Sequence, residues 1–258
     1  MSPSPLAEHP LPRHDGDKED RGTVLIVAGS DRTPGAAVLA ATAALRVGAG
    51  KLQVATAAEN RTAIGVHVPE SLVMDVADTA AVTKAATRAH AVVVGPGLLD
   101  ADAEVVATIA AAVEGVLVVD AGSLSHLPEQ LPARTILMPN EDEAEELGIR
   151  AHRDGVTDAA RRFGAVVAVR GAATWMAAPD GEVHCDDAGN VGLAVSGSGD
   201  VLSGMVGGLA ARGADPLTAV LWAVHIHGLA GERLAEHVAP IGFLARELLA
   251  VIPGLLAD

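Results

Sequence analysis

Tyrosine is absent from this chain, and two Phe and two Trp are its only other large aromatic residues. A core without aromatic anchors must be built from Ala, Val, Leu and Ile, and half of the residues are hydrophobic. Such a core suits a parallel sheet with closely packed helices. Cysteine is nearly absent too. Cys185 stands alone, so an intrachain disulfide is excluded and a reducing cytoplasm is the simplest setting. Basic residues are scarce: 18 Lys and Arg face 33 Asp and Glu, a formal net charge of −15. That excess argues against a nucleic-acid groove or an anionic membrane surface. A small anionic ligand needs only a local field. Long apolar runs are missing. The best candidate, Leu217 to Gly231, carries His225 and His227 and is too short to span a bilayer. Residues 1–22 are rich in Pro, His, Asp and Arg and have no apolar signal-peptide core. They read as a disordered N-terminal arm, followed by one domain over 23–258.

Within that domain, short β-branched runs alternate with Ala-rich helical patterns. Strands are predicted at Thr23–Ala28, Leu52–Thr56, Ala91–Gly95, Val116–Asp120, Thr135–Met138 and Ala165–Val169. They are apolar throughout, as in strands buried on both faces. Helices are predicted at Gly35–Val47, Thr79–Ala89, Ala103–Val113, Glu141–Leu147, Thr157–Phe163, Val201–Arg212 and Pro216–His237. This order implies an α/β, doubly wound, mostly parallel sheet with helices on both faces. Thr174–Ala178 and Glu182–Cys185, joined by Pro179-Asp180-Gly181, read as an edge hairpin. Ligands in such folds sit beyond the carboxyl ends of the strands. The unusual sequences fall there: Gly29-Ser30, Gly95-Pro96-Gly97, Asp120-Ala121-Gly122, Pro139 to Glu143, Arg170-Gly171 and Ser196 to Asp200.

The last of these is the most informative. Gly197-Ser198-Gly199-Asp200 opens a helical pattern. Glycines let backbone N–H groups converge on a ligand, and the helix N-terminus favours an anion, most naturally phosphate. Asp200 at its edge is placed to take a proton from a hydroxyl, the layout of phosphoryl transfer to an alcohol. Taken alone, the stretch also suits an N-cap at Ser198 or Asp200 followed by a turn.

The order of these motifs resembles the ribokinase-like superfamily and, within it, the ADP/ATP-dependent NAD(P)H-hydrate dehydratase family. The matching stretches are Gly29-Ser30, Pro34 to Ala37, Ala43 to Gly50, Gly95 to Leu98, Val118 to Ala121, Pro139 with Glu143, Arg170-Gly171, Gly197 to Leu202 and His227 to Gly231. The resemblance implies a metabolite-repair reaction. Hydrated NADH or NADPH (NAD(P)HX) is phosphorylated on its added hydroxyl by ADP or ATP with Mg2+, and loss of phosphate restores the ring. It implies Asp200 as the base, also touching substrate, and Ala37 (or Ala36), Gly97 and Asn140 at the substrate. Arg170, Gly171, Gly197, Ser198 and Gly199 would hold the nucleotide. It further implies a homo-oligomer and a separate NAD(P)HX epimerase in the pathway.

Three positions depart from the family pattern. Asn140 stands where a histidine is usual, Arg170 where a lysine is usual, and Ser196 where a glycine is usual. Asn140 with Glu143 also matches an Asn-x-x-Glu motif found near magnesium in sugar and vitamin kinases of the superfamily. Glu143 is thus a candidate metal ligand, while the same pair reads equally as a helix capping box. A kinase that stops at the phosphate ester, or a non-catalytic nucleotide-binding paralogue, stays open on the sequence. Other residues read as structural. His225 and His227 lie two apart on one helix and do not face one site. Trp175 reads as core or subunit packing ahead of packing over adenine, Asp120 equally as a strand-end turn residue or as a holder of a metal or hydroxyl at the cleft, and the five acids of Glu141 to Glu146 as a solvated first turn.

Overall fold

The computed structural model describes residues 5–12, 16–98 and 103–256. Its elements run α1 (Pro5–Glu8), β1 (Thr23–Val27), α2 (Pro34–Arg46), β2 (Lys51–Thr56), α3 (Arg61–His67), β3 (Ser71–Asp75), α4 (Thr79–Arg88), β4 (Ala91–Val94) and α5 (Ala103–Ala112). They continue with β5 (Val116–Val119), β6 (Thr135–Leu137), α6 (Glu141–Glu146), α7 (Arg153–Phe163), β7 (Val166–Val169), β8 (Thr174–Ala177), β9 (Val183–Asp186), α8 (Ser198–Ala211), α9 (Pro216–His237) and α10 (Ala245–Leu255). One nine-stranded sheet has the order β3-β2-β1-β4-β5-β6-β7-β8-β9. Strands β1 to β7 pair in parallel; β8 and β9 are antiparallel. This is the ribokinase-like α/β architecture.

The uniformly apolar strands have a direct explanation. Val24 and Ile26 of β1 face the helix layer of α2, α8, α9 and α10, while Leu25 and Val27 face that of α4, α5 and α7. Successive side chains point to opposite faces, and both faces are covered. With few large side chains available, the first layer is filled by letting backbones touch. A Cβ on Gly204 of α8 would come within 2.1 Å of the Ala40 carbonyl oxygen of α2. No side chain larger than hydrogen fits there.

Strand order reverses between β1 and β4, and the loops that follow them are stitched together. Gly29 N–H donates to Pro96 C=O at 2.9 Å and Ser30 N–H to Gly97 C=O at 3.0 Å. That is the crevice position expected of a ligand in a doubly wound sheet.

Several expectations change. Strand β3 and helices α3 and α10 were not anticipated, and α7 begins at Arg153 rather than Thr157. Helix α8 begins at Ser198, not after Asp200. The N-terminal arm is not a free arm over its described residues; 1–4 and 13–15 lie outside them. The Trp222 indole N–H donates to His9 C=O at 2.7 Å, the Arg212 guanidinium reaches Pro12 C=O at 3.3 Å, and Leu6 and Leu11 pack on the core. Two apolar side chains and the Trp222 and Arg212 donors, on α9 and after α8, hold the segment down. Among the described residues, no helix is long and apolar enough to cross a membrane.

Candidate active site

Gly197 is the N-cap of α8, at φ 91°, and offers no side-chain cap. The first intrahelical bond runs from Val201 N–H to Gly197 C=O at 3.1 Å. The amides of Gly199 and Asp200 therefore have no acceptor within the helix. Ser198 differs from its expected place. Its N–H turns back to Val195 C=O at 3.2 Å, its hydroxyl lies 3.0 Å from His227 Nε2, and the residue is buried. Burial pushes His227 down to about 4, with Arg170 adding to the effect and a hydrogen bond to the Ser198 backbone opposing it. A neutral imidazole thus supports the turn from below at neutral pH.

Asp200 projects from this first turn. Burial raises its carboxyl to about 6; nearby Asp120 adds to the rise and Arg170 opposes it. Arg170, at the end of β7, spans the site. Its Nη2 donates to Asp120 Oδ1 at 2.7 Å and lies 3.6 Å from Glu143 Oε2. A Cβ on Gly199 would meet Arg170 Nη1 at 2.3 Å, so the guanidinium occupies the space that any side chain at 199 would need. Arg170 Nε is buried and has no hydrogen-bond partner among the described residues. An N–H left so is a donor waiting for an acceptor such as a phosphate oxygen. Asp120 is itself buried and also accepts from the Ser203 hydroxyl, which bonds Gly199 C=O at 3.0 Å as well. Asp120 was noticed in the sequence; Ser203 was not. The available signal was a hydroxyl on an otherwise apolar helix.

Asn140 and Glu143 form a complete capping box at α6. Glu143 N–H donates to Asn140 Oδ1 at 2.8 Å, and Asn140 N–H to Glu143 Oε2 at 2.9 Å. The capping role is therefore real, and it leaves Asn140 Nδ2 and Glu143 Oε1 without partners among the described residues. Burial raises the Glu143 carboxyl, with Asp120 adding and the Asn140 backbone and Arg170 opposing. Asn140 pairs across the sheet end with Arg170, so both belong to one rim. Gly171 is exposed beside Glu141. Gly97 lies at the stitched crevice and accepts from the Thr33 hydroxyl at 2.6 Å. Ala37 lies beside Gly29 at the same crevice. Its side chain is fully buried and packs inward on Gly29, because it lies on the sheet-facing side of α2; the exposed position of that turn is Gly35. Trp175 is half-buried on the second helix layer, and His225 pairs with Asp186 away from His227.

A family model described as NAD(P)H-hydrate dehydratase matches residues 24–254. The chain belongs to this family. An ADP-dependent (S)-NAD(P)H-hydrate dehydratase of Xanthomonas campestris is 41% identical, over 97% of this chain and 93% of that protein. A bifunctional NAD(P)H-hydrate repair enzyme of Moorella thermoacetica is 32% identical over 96% of this chain, which spans 52% of that longer protein. The solved ADP/ATP-dependent NAD(P)H-hydrate dehydratase of Bacillus subtilis, co-crystallised with ATP and Mg2+, superposes with a TM-score of 0.85 at 29% identity, covering 98% of this chain and 95% of that one.

Proposed function

We infer that this protein restores hydrated NADH and NADPH by nucleotide-dependent dehydration, as a carbon–oxygen lyase using ADP or ATP with Mg2+. The observation that carries the site assignment is Asp200, on the uncapped first turn of α8 with a carboxyl raised to about 6. At neutral pH it is largely ionised yet basic enough to accept a hydroxyl proton. Asp200 takes the proton of the ring hydroxyl as that oxygen attacks the terminal phosphoryl group. The nucleotide's oxygen leaves. The ring phosphate then departs with its C–O electrons as the ring nitrogen lone pair forms a C=N bond; loss of a proton from the adjacent ring carbon makes the C=C bond and returns the pair to nitrogen.

The amides of Gly199 and Asp200 with the α8 dipole hold the transferring phosphoryl group. Gly197 frees the turn, and Ser198 shapes it through His227. Arg170 Nε supplies a further donor, and Gly171 lets the nucleotide lie close. Gly97 and the Asn140 Nδ2 amide line the substrate side, with the first turn of α2 contributing through the exposed Gly35 and the backbone of Ala36 and Ala37. The donor set suits magnesium, which takes one or two carboxylates together with phosphate oxygens and waters. Glu143 Oε1 is the available carboxylate oxygen, and the cation would supply charge neutralisation on the phosphates.

The reading puts the protein in the cytoplasm, as a homo-oligomer working beside a separate NAD(P)HX epimerase. The unpaired, exposed Cys185 agrees with a reducing compartment. The test is incubation with hydrated NADH or NADPH, Mg2+ and either ADP or ATP, following recovery of reduced-nicotinamide absorbance. Recovery with one nucleotide is expected; none with either would overturn the reading.

A further inference from the structure

Far from the α8 turn in sequence, the N-terminal segment meets the edge hairpin through three side chains. His9 Nε2 and His184 Nε2 each lie 2.8 Å from the same oxygen, Glu182 Oε1. One donor atom from each residue falls within 4.8 Å of the other two. The dehydratase chemistry uses none of them.

The hydrogen-bond directions make this cluster unusual. Thr218 Oγ1 has one proton, and it is directed to Asp215 Oδ2 at 2.5 Å. Toward His9 Nδ1, 3.3 Å away, the same oxygen can only accept. With the proton of a neutral His9 ring on Nδ1, the tautomer that suits this contact, the Nε2 lone pair points at a carboxylate oxygen. Two lone pairs at that separation repel unless a cation lies between them. That cation is a proton or a metal ion.

We propose that His9, Glu182 and His184 form a transition-metal site that clasps the N-terminal segment to the β8–β9 hairpin. Two imidazoles and one carboxylate are the donor set of Zn2+ and its neighbours, and three protein ligands leave a position for water. Magnesium and calcium prefer oxygen ligands throughout. The surroundings are built as metal sites are. Thr218 meets His9 Nδ1 from behind and is itself held by Asp215, the arrangement of outer-shell partners. The Trp222 indole holds the His9 backbone at 2.7 Å. Side-chain exposures of 15% for His9, 39% for Glu182 and 16% for His184 leave a path for a hydrated ion.

The test uses the full chain after chelator treatment, titrated with Zn2+ by calorimetry and with Co2+ by absorbance, alongside thermal melts. One metal per chain, a Co2+ spectrum of four-coordinate type and a raised melting temperature are expected. His9→Ala and His184→Ala should each weaken Zn2+ binding at least tenfold and remove the Zn2+-dependent rise in melting temperature, with dehydratase turnover unchanged. His9 lies at the periphery, so circular dichroism should confirm a folded variant. Thr218→Val, which leaves all three ligands in place, should weaken binding several-fold. No stoichiometric binding, or binding indifferent to both histidine variants, overturns the proposal. So does a melt that depends on pH through His9 but not on either metal, since the cation would then be a proton.

Discussion

Two helices begin at the same rim, and their first turns are opposite in construction. Helix α6 carries its own side-chain cap: Asn140 and Glu143 exchange both capping bonds, and their two amides are satisfied without a ligand. Helix α8 leaves its N-terminus open. Gly197 offers no side chain, and the amides of Gly199 and Asp200 have no helical acceptor. A closed cap contributes stability. An open one forgoes it and holds a site ready for an anion. Asp200 sharpens the contrast, since its carboxyl sits in a place that disfavours its charge. Function is written where the fold declines a local interaction that it makes a few ångströms away.

The largest effect should come from Asp200→Asn. It keeps the open turn but removes the base, and turnover should fall by about 10²–10⁴ with nucleotide affinity nearly intact. Steady-state kinetics and calorimetry check both halves; near-normal kcat in a folded variant would remove Asp200 from the mechanism.

Next comes Gly199→Val. A side chain there displaces the Arg170 guanidinium and blocks approach to the α8 amides. Losing charge-assisted contacts of about 1.5–3 kcal/mol weakens nucleotide binding about 10–100-fold. Unchanged affinity by calorimetry would place the phosphates elsewhere.

A stability measurement separates the two turns further. Asp200 binds its proton more tightly folded than unfolded, so its contribution favours the folded state at low pH. That contribution is lost as pH rises from the unfolded value near 3.8 through about 6. The loss is at most about 2–3 kcal/mol. Asp200→Asn should therefore melt higher than the parent at pH 8 and lose this part of the pH dependence. Over the same range, kcat/KM of the parent should fall below pH about 6, as the base becomes protonated. A flat profile there would disconnect the raised carboxyl from catalysis.

The smallest effect tests the closed cap. Asn140→Asp keeps a capping oxygen but loses the Nδ2 donor. The melt should move by less than about 0.5 kcal/mol, while KM for the hydrate rises several-fold. Asn140→Ala should instead cost about 0.5–2 kcal/mol of stability. If both variants leave KM unchanged, Asn140 serves the helix alone.

Much of this was legible along the chain. Strands buried on both faces announce themselves as uninterrupted apolar runs, and Gly197-Ser198-Gly199-Asp200 marks the approach to a helix. Other elements were harder to read. Strand β3 lies at a sheet edge and is only half-buried, so Ser71–Asp75 lacks a continuous apolar run. Helix α10 carries Pro253 in its interior, a residue that argues against a helix by local propensity. Helix α8 starts earlier than expected because glycine hides the boundary that a side-chain cap would mark.

What the sequence by itself determined is periodicity and local chemistry: the doubly wound class, the capping pair at α6, and the acid on the glycine-rich turn that opens α8. These depend on residues within a few positions of one another. What only the tertiary structure decided is the set of long-range partners. Arg170 meets Asp120 across 50 residues, Ser203 meets Asp120 across 83, and His9 meets Glu182 across 173. Strand order and helix packing bring these groups together, and a side chain's charge environment depends on that arrangement. Nothing within one turn of Asp200 raises its carboxyl. Burial beneath the rim and the charge of Asp120, delivered by a different strand, do so.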